Sequence, residues 1–237
     1  MQKVVSRDEW LAARKEFLAR EKAFTRERDA LSEARRRLPA VGVDKEYVFE
    51  GPQGPVALAD LFAGKRQLIV YHLMFDPADD AACPHCSFVV DSIASGLVHL
   101  QARDTAFVAI SRAPVAKIEA FRKRMGWTFP WVSSFGNSFN YDFHVTLDAS
   151  KGSTTYNYAP WEHEGEMPGL SVFIRDGKRI LHSYSTYMRG LDIFMSPYHL
   201  LDATPMGRNE ADGIMSWVRY HDEYEAAPKA PAACCAD

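Results

Sequence analysis

The sequence predicts an α/β fold of three layers around a central mixed β-sheet, preceded by a long helical arm. Three observations carry this. The run Gln67-Leu68-Ile69-Val70-Tyr71-His72-Leu73-Met74-Phe75 is nearly continuous in apolar residues, as in a strand covered on both faces, and Phe88, Val89, Ile93, Leu97, Val98 and Leu100 follow at helical spacing. A second strand-helix pair comes next: Thr105-Ala106-Phe107-Val108-Ala109-Ile110, then Val115, Ile118, Phe121 and Met125 on one helical face. Finally, the apolar runs 170–175 and 179–184 flank Asp176-Gly177, which supplies the positive φ angles of a tight antiparallel turn. Strand-helix-strand-helix needs crossovers, hence parallel strands with helices on both faces, and the hairpin makes the sheet mixed.

Ser6 followed by Glu9 fits a capping box, and a helical pattern runs from there to Leu38, where Pro39 stops it. Trp10, Phe17, Phe24, Leu31 and Leu38 recur every seven residues, flanked by Leu11 and Leu18, and the remaining surface is charged. Such a stripe must lie on something: its own domain, or a second subunit in a homodimer built through this helix. The basic run Arg35-Arg36-Arg37 suits a solvated helix end that complements the dipole better than a phosphate site. Residues 1–42 are assigned to the arm, 43–205 to the α/β domain, 206–225 to a C-terminal helix and 226–237 to a flexible tail.

Within the domain, Tyr47-Val48-Phe49, the turn-rich 50–55 and Val56-Ala57-Leu58 read as a short hairpin, and 59–62 as a helical turn closed by Gly64. Asp76-Pro77-Ala78-Asp79-Asp80 breaks the first apolar strand, Pro84 opens the helix after it, Pro114 opens the next helix and Gly126 ends that one. Seven aromatic residues lie between Trp127 and Phe143. Connections this long are functional or disordered, and the aromatics argue against disorder, so Trp131 and Tyr141 are candidates to floor a substrate groove, with core packing the alternative. Residues 148–165 read as a surface excursion, 187–198 as a polar and aromatic connection, and 214–224 as a helix. The Ala/Pro-rich end has too few large apolar residues to order itself.

With 237 residues, 47% of them hydrophobic, the chain can bury a full core. A net charge of -3 and a pI near 6.2 give no reason to expect nucleic acid or an anionic membrane as partner. Four cysteines exclude a secreted disulfide scaffold. The N-terminus lacks an apolar signal core, and no segment reaches the roughly 18 apolar residues of a membrane span, so a reducing cytoplasm is the expected compartment.

There, a C-x-x-C is catalytic or metal-binding. Cys83-Pro84-His85-Cys86 stands between the predicted strand and the predicted helix. Unpaired N–H groups and the macrodipole at a helix start stabilise a thiolate, and His85 acts in the same direction if charged or donating. Cys83 is therefore expected to attack a disulfide substrate or redox partner protein, and Cys86 to resolve the mixed disulfide, with no cofactor beyond the Cys83-Cys86 disulfide. The hairpin at 47–58 is similar to that of peroxiredoxins, and the resemblance implies a peroxidase variant in which an arginine supports the thiol, with Arg112 and Arg124 as candidates and structural ion pairing as the alternative for each. A different reading is a copper- or zinc-binding protein in which His72, Met74 or His182 joins the two thiols. A third is an interaction protein in which the arm and the aromatic loop do the work. The adjacent Cys234 and Cys235 are a second thiol pair or an accident of the tail.

Several segments resemble the bacterial DUF899 family: Tyr71-His72-Leu73-Met74-Phe75, Cys83-Pro84-His85-Cys86-Ser87-Phe88, Ser111-Arg112-Ala113-Pro114, the stretch 124–134, Phe139-Asn140-Tyr141-Asp142-Phe143, His182-Ser183-Tyr184-Ser185 and the stretch 201–208. The resemblance spans residues 5–225 and implies a thioredoxin-like fold and a dithiol-disulfide oxidoreductase activity. The dipeptide Pro84-His85 is similar to that of the strongly oxidising bacterial disulfide oxidases, which are exported, whereas this chain is read as lacking an export signal. Thioredoxin-like proteins place a cis-proline before the hairpin strand, facing the thiols. Pro168 lies near that place and is the candidate for substrate binding, although Gly169 fits the register set by Asp176-Gly177 better.

Overall fold

A computed structural model describes residues 2–224. It opens with helix α1 (Arg7–Arg36), started by the expected capping box: the Ser6 hydroxyl accepts from Glu9 N at 3.3 Å, and the Glu9 carboxylate accepts from Ser6 N at 2.9 Å. Asp8 and Glu9 in its first turn and Arg35 and Arg36 in its last complement the macrodipole. None of its residues is buried, and Phe24 is 69% exposed. Its last turn meets the domain, where the Arg35 guanidinium lies 5.0 Å from the Tyr184 ring centroid.

Twelve strands follow among the described residues, eight of them in one sheet. These are β1 (Val41–Gly42), the hairpin β2 (Val48–Gly51) and β3 (Gly54–Ala57), then β4 (Gln67–His72). Helix α2 (Pro84–Ala94) and a short α3 (Leu97–Ala102) lead to β5 (Thr105–Ser111), and α4 (Val115–Arg124) leads to β6 (Trp131–Ser133). The helical spacing after the C-x-x-C predicts one helix, but it breaks at Ser95-Gly96, where glycine favours termination. Beyond lie α5 (Phe139–Asp142), four two-residue strands β7 (Thr146–Leu147), β8 (Thr155–Tyr156), β9 (Ala159–Pro160) and β10 (Gly165–Glu166), the long hairpin β11 (Gly169–Asp176) and β12 (Arg179–Tyr187), and α6 (Ser196–Asp202).

The sheet order is β1-β12-β11-β4-β5-β6-β2-β3. Strands β4, β5 and β6 are parallel and adjacent, and β11 joins β4 antiparallel, so the thioredoxin-like mixed sheet is present. Because both crossovers step the same way, right-handedness puts α2 and α4 on one face, not one on each. Val89 and Val90 of α2 and Ile118 and Phe121 of α4 share one core with Tyr71, Phe75 and Trp131. The opposite face is covered by smaller pieces carrying Phe62, Phe139, Phe143 and Tyr156. Residues 148–165 are thus not a mere surface excursion, since Tyr156 is fully buried.

The predicted C-terminal helix is absent: residues 206–224 form turns, and the helix in this region is the earlier α6. Gly213 and Met215 take positive φ angles of 124° and 60°, which a right-handed helix excludes. The Glu210 carboxylate accepts from Met215 N at 2.8 Å and holds the turn. The segment instead lies as a strap across the start of α2. No helix among the described residues is long and apolar enough to cross a membrane.

Candidate active site: a split pair of thiols

Strand β4 delivers the chain to the carboxyl end of the sheet, and the loop after it returns so that Cys83 N donates to the Met74 carbonyl at 2.9 Å. Cys83 is the N-cap of α2, and Pro84, which has no N–H to lose, occupies the first turn. The Cys83 carbonyl accepts from both Ser87 N (3.0 Å) and the Ser87 hydroxyl (2.9 Å), so the first turn is locked. Cys86 is thereby placed one turn inside, 2% exposed, while Cys83 remains half-buried.

Both are free thiols, with opposite chemistry. The Cys83 thiol is pulled down to about 6, chiefly because Cys86 donates a hydrogen bond to its thiolate. The Cys86 backbone N–H and the charge and backbone of the exposed His85 add to this, against a smaller opposing effect of burial. Cys86 is pushed well above the ordinary thiol value by burial and by the neighbouring Cys83 thiolate, with the Tyr71 hydroxyl and the Met74 backbone acting the other way.

Three aromatic residues that the motif did not single out, Tyr71, Trp217 and Tyr220, pack in the core that holds the pair, and a fourth, Tyr156, belongs to the core on the opposite face. Tyr71 is 0% exposed, its hydroxyl directed at Cys86 and bonded to no nitrogen or oxygen of the protein. The Tyr156 hydroxyl donates to the Pro168 carbonyl at 2.7 Å and accepts from Met188 N at 3.3 Å. From the strap, Tyr220 and Trp217 pack against the cluster that holds Cys83, and the Tyr220 hydroxyl donates to the Ala82 carbonyl at 2.6 Å. The strap is fixed by Arg124, which donates to Asp222 and Glu223 at 2.8 Å each, and by His221 against Asp91 at 2.9 Å. Tyr71 carried a signal, as a residue with a polar end in an otherwise apolar strand; Tyr220 carried none.

The other predicted residues go elsewhere. Trp131 is 1% exposed and donates through Nε1 to the Ser111 hydroxyl at 2.9 Å, so it is core and not groove floor. Tyr141 lies beneath Arg112 and Lys151, whose charged ends are 5.2 and 4.5 Å from its ring centroid, and is not among the residues packed on the thiols. No peptide bond among the described residues is cis, so Pro168 is trans. Met167 N donates to the Val145 carbonyl, and Gly169 already pairs with His72, so the chain runs extended into β11 with no reversal for a cis bond to make. Arg112 donates to the buried Glu166 at 3.1 Å, and Arg124 holds the strap; both are engaged in ion pairs.

His72 and His182 do not join the thiols. Alternation along β4 sends Tyr71 toward Cys86 and His72 to the opposite face, against Phe139 and Phe143. There His72 Nε2 meets the Ser171 hydroxyl at 2.8 Å, that hydroxyl meets Ser185 at 2.8 Å, and Ser185 meets His182 Nε2 at 2.7 Å. Burial holds the His72 imidazole down at about 3, hence neutral. The soft-ligand set of the metal reading is therefore divided by the sheet, and among the described residues no three His, Cys, Asp or Glu side chains converge. Cys234 and Cys235 lie outside the described residues.

Among solved structures, the chain is similar to a cysteine-to-serine mutant of Xylella fastidiosa PrxQ (TM-score 0.44, 13% identity, 65% of this chain and 88% of that one). It is also similar to a mutant of Xanthomonas campestris peroxiredoxin Q (TM-score 0.44, 15% identity, 69% and 96%). A third such structure is peroxidoxin BcpB from Mycobacterium tuberculosis (TM-score 0.41, 16% identity, 67% and 94%). No curated protein matches. The family described as "Bacterial protein of unknown function (DUF899)" matches residues 1–224, and the chain belongs to it.

Proposed function

We propose that the protein is a thiol-disulfide oxidoreductase that works through Cys83 and Cys86. The observation that carries this is the split between two sulfurs one helical turn apart: one half-buried and easily ionised, the other enclosed and held protonated. The Cys83 thiolate attacks a substrate disulfide, forming one S–S bond and expelling one thiolate. Cys86 then attacks Cys83, forming the intramolecular disulfide and expelling the second thiolate, so the substrate gains the two electrons that the pair loses.

Alkylation of the reduced protein tests the reading. Cys83 is expected to label first, with a midpoint near 6 in the pH dependence of its rate. Equal slow labelling of both cysteines, with a midpoint at the free-thiol value, would falsify it. Equilibration of the couple with glutathione gives the direction of electron flow, since a potential near about -120 mV marks an oxidant and one near about -270 mV a reductant.

A further inference from the structure

A second group is needed for the half-reaction at Cys86. Its sulfur must carry negative charge while only 2% exposed, in the core that also holds Tyr71, Phe75, Val89 and Val90, where little water reaches it. A buried thiolate without donors is costly. Two protein groups act in its favour, the Met74 backbone and the Tyr71 hydroxyl. The hydroxyl is the unusual one. It is fully buried and donates to no nitrogen or oxygen of the protein, although buried phenols ordinarily find such a partner, and the neighbour it acts on is the Cys86 sulfur. Tyr156, in the core on the opposite face, is committed to Pro168 and Met188, and Tyr220 is committed to Ala82.

We propose that Tyr71 is the hydrogen-bond donor reserved for the Cys86 sulfur, weakly engaged with the neutral thiol and fully engaged when Cys86 attacks or leaves Cys83 as a thiolate. This rests on the exchange reading above and adds a residue to it. In the resolving step Cys86 gives its proton to solvent base, the Cys86–Cys83 bond forms, and the bond from Cys83 to the substrate sulfur breaks with that thiolate departing. Tyr71 keeps its own proton throughout, as burial and the adjacent thiols hold its phenol well above the ordinary range. In reduction the same hydroxyl receives Cys86 as the leaving thiolate.

A chromogenic nitrothiobenzoate disulfide separates the two steps in one trace. With Cys234 and Cys235 replaced by Ser in every protein compared, so that only the pair reacts, the first equivalent of coloured thiolate is released by Cys83 and the second by Cys86. In Tyr71→Phe the first phase is expected within about twofold of wild type, and the second slower by about tenfold or more near neutral pH, the size of one hydrogen bond to a charged sulfur. The deficit should shrink as pH rises. Cys86→Ser should lose the second phase altogether. Because a neutral thiol is a weak acceptor, Tyr71→Phe should melt close to the wild-type temperature. A second phase at the wild-type rate and with the wild-type pH profile would overturn the role of Tyr71, and so would a clear drop in melting temperature, which would reveal a structural bond. Failure of the exchange reading looks different: wild type itself would then show no second phase.

Discussion

The Tyr220 hydroxyl donates to the Ala82 carbonyl at 2.6 Å, one residue before Cys83, and so ties a strap with no regular structure to the start of the thiol helix. Tyr220→Phe is expected to cost about 1 kcal/mol of stability, the net value of one hydrogen bond. Because the same residue packs beside Cys83, the variant should react about two- to fivefold faster with a bulky maleimide and about equally with iodoacetamide, the loosened bond being worth no more than about that factor. Equal rates with both reagents in both proteins would show that the strap does not limit access.

Stability of the reduced protein should depend on pH through the two thiols. The folded Cys83 thiol is depressed to about 6 from its ordinary value near 9.0, so the folded chain binds fewer protons than the unfolded one between these values. Its contribution is present above the unfolded value and is lost as pH falls through 6. Cys86 is raised, so its contribution is present below the unfolded value and is lost at higher pH. Denaturant midpoints of the reduced protein should rise from pH 6 toward 9, and Cys83→Ser should flatten that rise.

Replacement of Trp131 tests its place in the core. Trp131→Ala should destabilise by roughly 3–5 kcal/mol, the ordinary cost of emptying a large aromatic site, and leave the Cys83 alkylation midpoint of the folded fraction where it was. A large change in reactivity at unchanged stability would instead return Trp131 to the substrate groove.

The arm predicts self-association. Trp10, Phe17, Phe24 and Leu31 are exposed along a 30-residue helix, about 45 Å at 1.5 Å per residue. We propose that a second copy covers this stripe. Sedimentation at micromolar concentration should show a dimer, and Phe17→Ser with Phe24→Ser should give a monomer with unchanged Cys83 chemistry. A wild-type monomer would exclude the homodimer.

Much of the framework was legible because it rests on local signals. The capping box at Ser6 and Glu9, the apolar strand before the C-x-x-C, Pro84 in the first turn of α2 and Asp176-Gly177 between β11 and β12 each act over a few residues, and each stands where the pattern put it. The helix expected near the C-terminus failed for the opposite reason. Trp217 and Tyr220 supply apolar surface at helical spacing, but contacts with Phe88 and Ala82, more than a hundred residues away in sequence, together with the left-handed backbone at Met215, outweigh local propensity.

By itself the sequence determined that two thiols three residues apart would ride on a strand-to-helix junction, because backbone preferences and helix-end electrostatics are short-ranged. Only the tertiary structure decided which groups surround them. Alternation along β4 put Tyr71 beside Cys86 and His72 across the sheet, and the strap closed over Cys83, since burial, and with it the division of charge between the two sulfurs, is set by contacts between segments distant in the chain.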